Sequence, residues 1–146
     1  MVRSRFNAPI LVLGILAVSI AGCVGTDTTP TSGLEDTTWR LESYGEQGNL
    51  QSVLDGTEIT ATFESTKGQV RGSAGCNTYF AEYKVNGNKL SIFQMAYTEM
   101  ACLEPEGILQ QEQEYLQTLL AAEDYQVEDV KLQINCGDQI LVYTSR

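Results

Sequence analysis

Four cysteines and no histidine set the chemistry open to this chain of 146 residues. Without an imidazole, every Ser-His or Cys-His nucleophilic scheme is excluded, and so is the side chain that most often serves as general base or metal ligand. Cys76, Cys102 and Cys136 are 26 and 34 positions apart with no C-x-x-C among them, which is not a metal-ligand pattern. A catalytic thiol at Cys136 would lack a partner to lower its pKa, the nearest basic residue in sequence being Lys131. Glu104 and Glu106 are close in sequence, but glycosidase carboxylates face each other about 5–9.5 Å apart across a cleft. Two acids in a Pro-containing loop ahead of a helix read more simply as cap and solvent groups. The expectation is no catalytic residue, no metal, no cofactor and no enzyme.

Cys23 has a different setting. Arg3 and Arg5 precede an apolar run from Ile10 to Ala21, followed by the small residues Ala21-Gly22 and then the cysteine. A spanning helix needs about 20 apolar residues, so this run is too short to stay in a membrane and has the layout of a signal peptide. Ile20-Ala21-Gly22-Cys23 resembles the bacterial lipobox, in which the cysteine sulfur receives a diacylglyceryl group and the chain is cut just before it. The resemblance implies a signal over 1–22, lipidation at Cys23 and a membrane as partner through that lipid. Each buried acyl methylene contributes about 0.8 kcal/mol, so two or three chains would hold the protein firmly. Residues 23–35, rich in Thr with Pro and Gly, cannot bury enough apolar surface to offset ordering and read as a tether, with the folded body over 36–146. The expected location is the cell envelope, on the extracytoplasmic side.

Charge narrows the partners further. Nine Lys and Arg stand against nineteen Asp and Glu, a net of −10, and loss of Arg3 and Arg5 leaves seven basic residues against nineteen acidic ones. Such a surface repels phosphate backbones and anionic headgroups, so nucleic acid is excluded as a partner. A monomer that contacts an envelope protein is the expectation.

The elements that must position these residues follow from periodicity. Trp39, Leu41 and Ser43 alternate with polar residues, as do Ile59, Ala61 and Phe63, then Tyr79, Ala81, Tyr83 and Val85. Asn86-Gly87-Asn88 marks a hairpin into Lys89–Phe93. Val130–Ile134 and Ile140–Tyr143 are expected to pair across a Cys136-Gly137-Asp138-Gln139 turn. Between the two β blocks the period changes: Ile108, Tyr115, Leu116, Leu119 and Ala122 form a helical stripe, with Gln110, Gln111, Gln113, Glu114, Gln117 and Thr118 assigned to the opposite face. About eight strands with one helix predict an α+β fold, a strongly curved antiparallel sheet or incomplete, cracked β-barrel. With Cys23 assigned to lipid, one internal disulfide is allowed. Cys76 with Cys102 is favoured because both flank the hairpin, and Cys136 with either remains the alternative.

Laid out in this order, Trp39-x-Leu41, Gly72-x-x-Gly75-Cys76-Asn77, Thr98-x-Met100-Ala101-Cys102 and Glu112-x-x-Tyr115-Leu116-x-x-Leu119 resemble the META domain family, that of the HslJ-like heat-shock lipoproteins. Ala81 stands where the family often has Gly, and Glu128-Asp129 replaces a Gly-containing turn. Cys136 lies outside the family pattern, which favours the Cys76–Cys102 pair. The resemblance implies a small, non-catalytic envelope domain, linked in some members to heat shock and antibiotic tolerance. A second reading takes the fold as a lipocalin-like binder, with Trp39, Tyr79, Tyr83, Phe93 and Tyr115 lining a cavity for a small apolar ligand.

Overall fold

Nine strands and one helix follow one another as β1 (Thr38–Glu46), β2 (Asn49–Ser52), β3 (Thr60–Glu64), β4 (Gln69–Ser73), β5 (Thr78–Asn86), β6 (Lys89–Tyr97), α1 (Ile108–Leu120), β7 (Asp124–Glu128), β8 (Lys131–Cys136) and β9 (Gln139–Ser145). These come from a computed structural model that describes residues 33–146; the signal segment, Cys23 and the rest of the expected tether before Gly33 lie outside the described residues. Neighbouring strands run in the order β2-β1-β3-β4-β5-β6-β7-β8-β9, and β1 also pairs with β9. One edge of β1 therefore meets β9 along Trp39–Glu46, while its other edge is shared between β3 at Thr38–Arg40 and β2 at Ser43–Glu46. Eight strands make the ring and β2 is a short flap on it. The ring is uneven: β6 and β7 are joined by a single pair, Lys89 with Asp124. This is an α+β fold, a curved antiparallel sheet closed as a cracked barrel, with α1 packed against β6, β8 and β9.

The inward residues are those the alternation marks, except where a bulge shifts the phase. Trp39, Leu41, Ile59, Ala61, Phe63, Tyr79, Ala81, Leu132 and Ile134 all belong to one buried cluster. In β1 the register slips between Leu41 and Ser43, so Tyr44 turns inward where simple alternation puts Ser43. A second slip, between Phe80 and Glu82, falls opposite Gln94, which sits at φ 54°. Val85 keeps its phase but lies exposed at the end of β5. The β5–β6 turn is the two-residue Gly87-Asn88, with Asn86 still paired to Lys89; Gly87 at φ 61° supplies the positive φ that a two-residue hairpin demands. β8 pairs with β9 as expected but begins at Lys131, with Val130 exposed in the turn.

The helix forms because Ile108, Tyr115, Leu116 and Leu119 fall on one face and bury there. Two assignments to this element are corrected. Gln111 is buried on the core side rather than solvated, and so is Glu112. The N-cap is Gly107, without a side-chain cap bond and without an acid in the first turn, so Glu104 and Glu106 do not cap the helix. Its C-terminus is closed by the Ala121 and Ala122 amides, which donate to the Thr118 and Leu119 carbonyls.

The ordered body also begins earlier than position 36. Leu34 is fully buried and its carbonyl accepts the Trp39 Nε1–H at 2.9 Å. Glu35 bridges to Phe63 and accepts the Tyr83 hydroxyl, Asp36 binds Ser65, and Gly33 approaches Val127. The chain thus enters at the barrel end formed by the last residues of β3 and β7, whereas α1 covers the other end, where it meets Leu54, Thr57 and Asn77.

Candidate functional site

The aromatic residues considered as a cavity lining sort into two groups. Trp39, Tyr79, Tyr83 and Tyr115 are buried, but their polar atoms are turned to protein partners rather than to an open space. Tyr143 donates its hydroxyl hydrogen to Tyr115 Oη at 3.2 Å, Tyr115 and Tyr79 share one at 2.8 Å, and Tyr79 donates to the Thr60 carbonyl at 2.9 Å. Tyr79 also meets Tyr115 edge to face, as Phe63 meets Tyr83. Phe93 is on the outer face: it pairs with exposed Glu82, and Lys84 Nζ lies 5.5 Å from its ring centroid. Leu90 and Ile92 are buried, so plain alternation along β6 already turns Phe93 outward. Tyr79, Tyr115 and Tyr143 therefore form a hydrogen-bonded chain that fixes the helix to β3, β5 and β9, while Trp39 and Tyr83 hold Leu34 and Glu35 at the opposite end.

That core carries a pH consequence. Burial pushes the Tyr79, Tyr115 and Tyr143 hydroxyls well above the usual phenol value, and pushes the Cys136 thiol up to about 12. In the unfolded chain these groups ionise near pH 10 and pH 9; above that the unfolded state releases protons that the folded state keeps. Stability is full below those values and falls as pH rises through them, by about 1.4 kcal/mol per pH unit for each phenol. Urea midpoints measured from pH 8 to pH 11 are expected to drop steeply above pH 10, with phenolate absorbance from these rings appearing only as the protein unfolds. Phenolate absorbance from all seven tyrosines while the protein is still folded would contradict the buried chain.

Polar side chains under the helix build a second constellation. Cys76 and Cys102 are joined as a disulfide, with Cα atoms 5.9 Å apart. The neighbouring Asn77 is buried and fully engaged: its backbone N–H and its Nδ2 donate to the two Glu112 carboxyl oxygens at 2.6 and 2.7 Å, and its Oδ1 accepts from Thr98 Oγ1 at 2.8 Å and the Met100 N–H at 2.7 Å. Gln111 does the same on the other side, accepting the Leu54 N–H at 2.7 Å and donating to Thr57 Oγ1 at 3.1 Å. Two buried polar residues of α1 thus clamp the loops on both flanks of the barrel end. Satisfying every buried donor is what makes such a cluster stabilising. In the sequence Glu112 stands out only within the family pattern, and Gln111 reads as a solvent-facing residue. The signal was available, because 111 and 112 are three and four positions after Ile108 and so lie on the buried stripe.

Next to this clamp a groove of about 590 Å³ opens between α1 and the end of β6, continuing over residues 98–101. Met95, Tyr97, Met100, Leu109, Leu116 and Leu120 form its apolar walls, with Glu99, Gln113 and Gln117 among its polar residues. Tyr97 and Met100 are each more than half exposed. The other titratable candidates do not converge. Cys136 is a buried, protonated free thiol whose Sγ faces the Ile134 carbonyl; Glu104 and Glu106 are exposed. Among the described residues, no cluster of three or more His, Cys, Asp or Glu is placed to hold a metal ion.

With this geometry in hand, the chain can be set beside known proteins. Among solved structures, the NMR structure of a protein from Burkholderia xenovorans shares 28% identity over 77% of this chain and 83% of that one, with a TM-score of 0.65. A second protein, also solved by NMR, shares 22% identity over 74% of this chain and 87% of its own, at a TM-score of 0.57. The crystal structure of a DUF4847 family protein from Bacteroides vulgatus ATCC 8482 matches at 14% identity over 76% and 93% of the two chains, with a TM-score of 0.53. The last two are alike in fold alone. No curated protein matches the chain at a significant level. The family model of the META domain matches residues 32–146, the whole cracked barrel with its helix, and the chain belongs to that family.

Proposed function

We infer that this is a lipid-anchored, non-catalytic envelope protein that works by contacts made at its helix-covered end, as an envelope-protective or stress-response factor. The observation that carries the reading is the placement of the two ends. The chain reaches the barrel beside Phe63, Ser65 and Val127, opposite the end where α1, the disulfide and the apolar groove lie. A lipid on Cys23, ten residues before Gly33, would leave the groove end turned away from the bilayer. A ten-residue link spans at most about 36 Å, enough to clear the headgroups and short enough to keep the domain close to them. Its strongly acidic surface, repelled by anionic lipid, suits a domain that stands off the membrane rather than lying on it.

The non-catalytic reading is supported by how the reactive groups are used. Both Glu112 oxygens are occupied by Asn77, the phenols are engaged with one another, and Cys136 is protonated and buried. The reading of an apolar ligand in the barrel interior is less well supported, since its proposed lining is engaged in core hydrogen bonds and Phe93 is outside. Fractionation tests the anchor: Cys23→Ser is expected to move the protein out of the membrane fraction or to leave an uncleaved precursor. Unchanged lipid labelling of that variant would overturn the proposal.

A further inference from the structure

We propose that the groove beside α1 binds an extended peptide of alternating apolar and basic residues, which adds as a strand to the open edge of β6. The inference rests on the reading of this end as the contact surface and names the chemistry of the partner.

Three observations converge on it. First, among the described residues β6 is paired on its β7 side only at its start, by Lys89 with Asp124 and by the Leu90 amide, which donates to the Glu123 carbonyl, so its edge is open along the groove. The Thr98 amide donates across to the Thr78 carbonyl of β5. Because successive residues of a strand present their backbone groups to opposite sides, the N–H and C=O of Tyr97 and Met95 point away from β5, toward the groove. An unpaired edge of this kind is a template for strand addition, in which backbone bonds supply affinity and alternate side-chain pockets supply selectivity.

Second, the groove offers those alternate side chains an apolar bed. Leu109 and Leu120 are each over two-fifths exposed on α1, facing Tyr97 and Met100 across the opening. At about 590 Å³ the space is within the range of built ligand sites. Its far wall is not free to collapse, because Met100 is held by Asn77 and Ala101 is next to the disulfide.

Third, the electrostatics select the sign of the partner. From Leu90 to Val130 the sequence contains nine acidic residues and no Lys or Arg. Glu99 lines the groove, and Glu104 and Glu106 are exposed in the segment leading to α1. Among the described residues, the salt-bridged cations Lys67, Arg71, Lys89, Lys131 and Arg146 all lie outside the groove lining, and of the nine acids only Asp124 is paired, with Lys89 at the far end of β6. An acidic peptide meets uncompensated repulsion here, and a basic one meets attraction that also speeds encounter.

The test uses the full chain in phosphatidylcholine nanodiscs and a fluorescein-labelled peptide of alternating Ile and Lys, read by anisotropy against empty discs. Saturable binding is expected, weakened at least tenfold by Leu109→Arg, weakened by Glu99→Lys and by added salt, and absent for the alternating Ile and Glu peptide. N-methylation of alternate peptide amides should abolish binding in one register and spare it in the other, which simple hydrophobic adsorption would not do. Binding unaffected by Leu109→Arg, or equal in both N-methyl registers, would overturn the proposal. So would a dimer in sedimentation that Leu109→Arg dissociates while the peptide fails to bind, because the groove would then serve a second copy of the chain. Loss of peptide binding with Cys23-dependent membrane association intact rejects the groove alone, whereas membrane release unrelated to Cys23 with peptide binding intact rejects the anchor alone.

Discussion

Gly72→Ala is expected to destabilise the domain by about 4 kcal/mol or more, the range reached only when a substitution breaks a core feature. A Cβ at this position would lie 1.9 Å from the Thr60 carbonyl oxygen and 2.6 Å from its carbon. Both are backbone atoms, so β3 and β4 would have to part. The damage would also spread, because that same carbonyl accepts the Tyr79 hydroxyl that begins the chain through Tyr115 to Tyr143. Pushing Thr60 away strands buried phenols, each at a cost of about 1–3 kcal/mol. The comparison is Gly87→Ala, where nothing lies within 4 Å and only the positive φ of 61° is strained; this should cost about 1–2 kcal/mol. Urea unfolding of the two variants gives the ordering directly. A Gly72 variant as stable as the Gly87 variant would mean that the strands are not packed as described.

Removal of the disulfide is expected to be the second large effect. Cys76 and Cys102 close a loop of 26 positions, and restriction of the unfolded chain by such a link contributes about 3.5 kcal/mol. In a domain of this size the loss corresponds to a Tm decrease of about 10 °C or more. The Cys76→Ser/Cys102→Ser double variant and the reduced native protein should agree in Tm, since both lack the same constraint. The local structure should outlast the bond, because Thr98 and Met100 remain tied to Asn77 and Asn77 to Glu112. A double variant with unchanged stability would show that Asn77 and Glu112 alone hold the 98–102 segment. Cys136 is not a substitute partner: it is buried at the end of β8 and its thiol faces the Ile134 carbonyl.

The sequence carried the fold at the level of faces and failed at the level of phase. Ile59, Ala61 and Phe63 alternate cleanly and are all buried, and the period change at Ile108 marks the helix within two residues of its end. The β8–β9 hairpin and the curvature of the sheet were legible for the same reason, since each depends on local alternation and turn chemistry. The bulges near Glu42 and Gln94 were not legible, because a bulge arises from a mismatch between two strands and leaves no mark in either one alone. They decide which side chains change face, turning Tyr44 inward in β1 and Met95 toward the core in β6. The closure of β1 on β9, whose paired residues are 93 to 106 positions apart in sequence, is a tertiary event of the same kind. At the candidate site, the Cys76–Cys102 pair was readable from its position about the hairpin. The Asn77–Glu112 clamp was hidden because a polar residue on a helix is ordinarily assigned to water, although its spacing from Ile108 placed it on the buried stripe. The groove was invisible to sequence, since its walls come from α1 and β6 and only the cracked ring brings their exposed apolar residues together.

The central claim, that the domain is held to a membrane by its first mature residue and presents the opposite end, is tested most directly by the intact mass of the protein extracted from its native membrane. The account predicts a chain beginning at Cys23, heavier than its unmodified sequence by a thioether-linked diacylglyceryl group, with or without a further acyl chain. A membrane-bound chain in which Cys23 carries no lipid, or one that still begins at Met1, would contradict it.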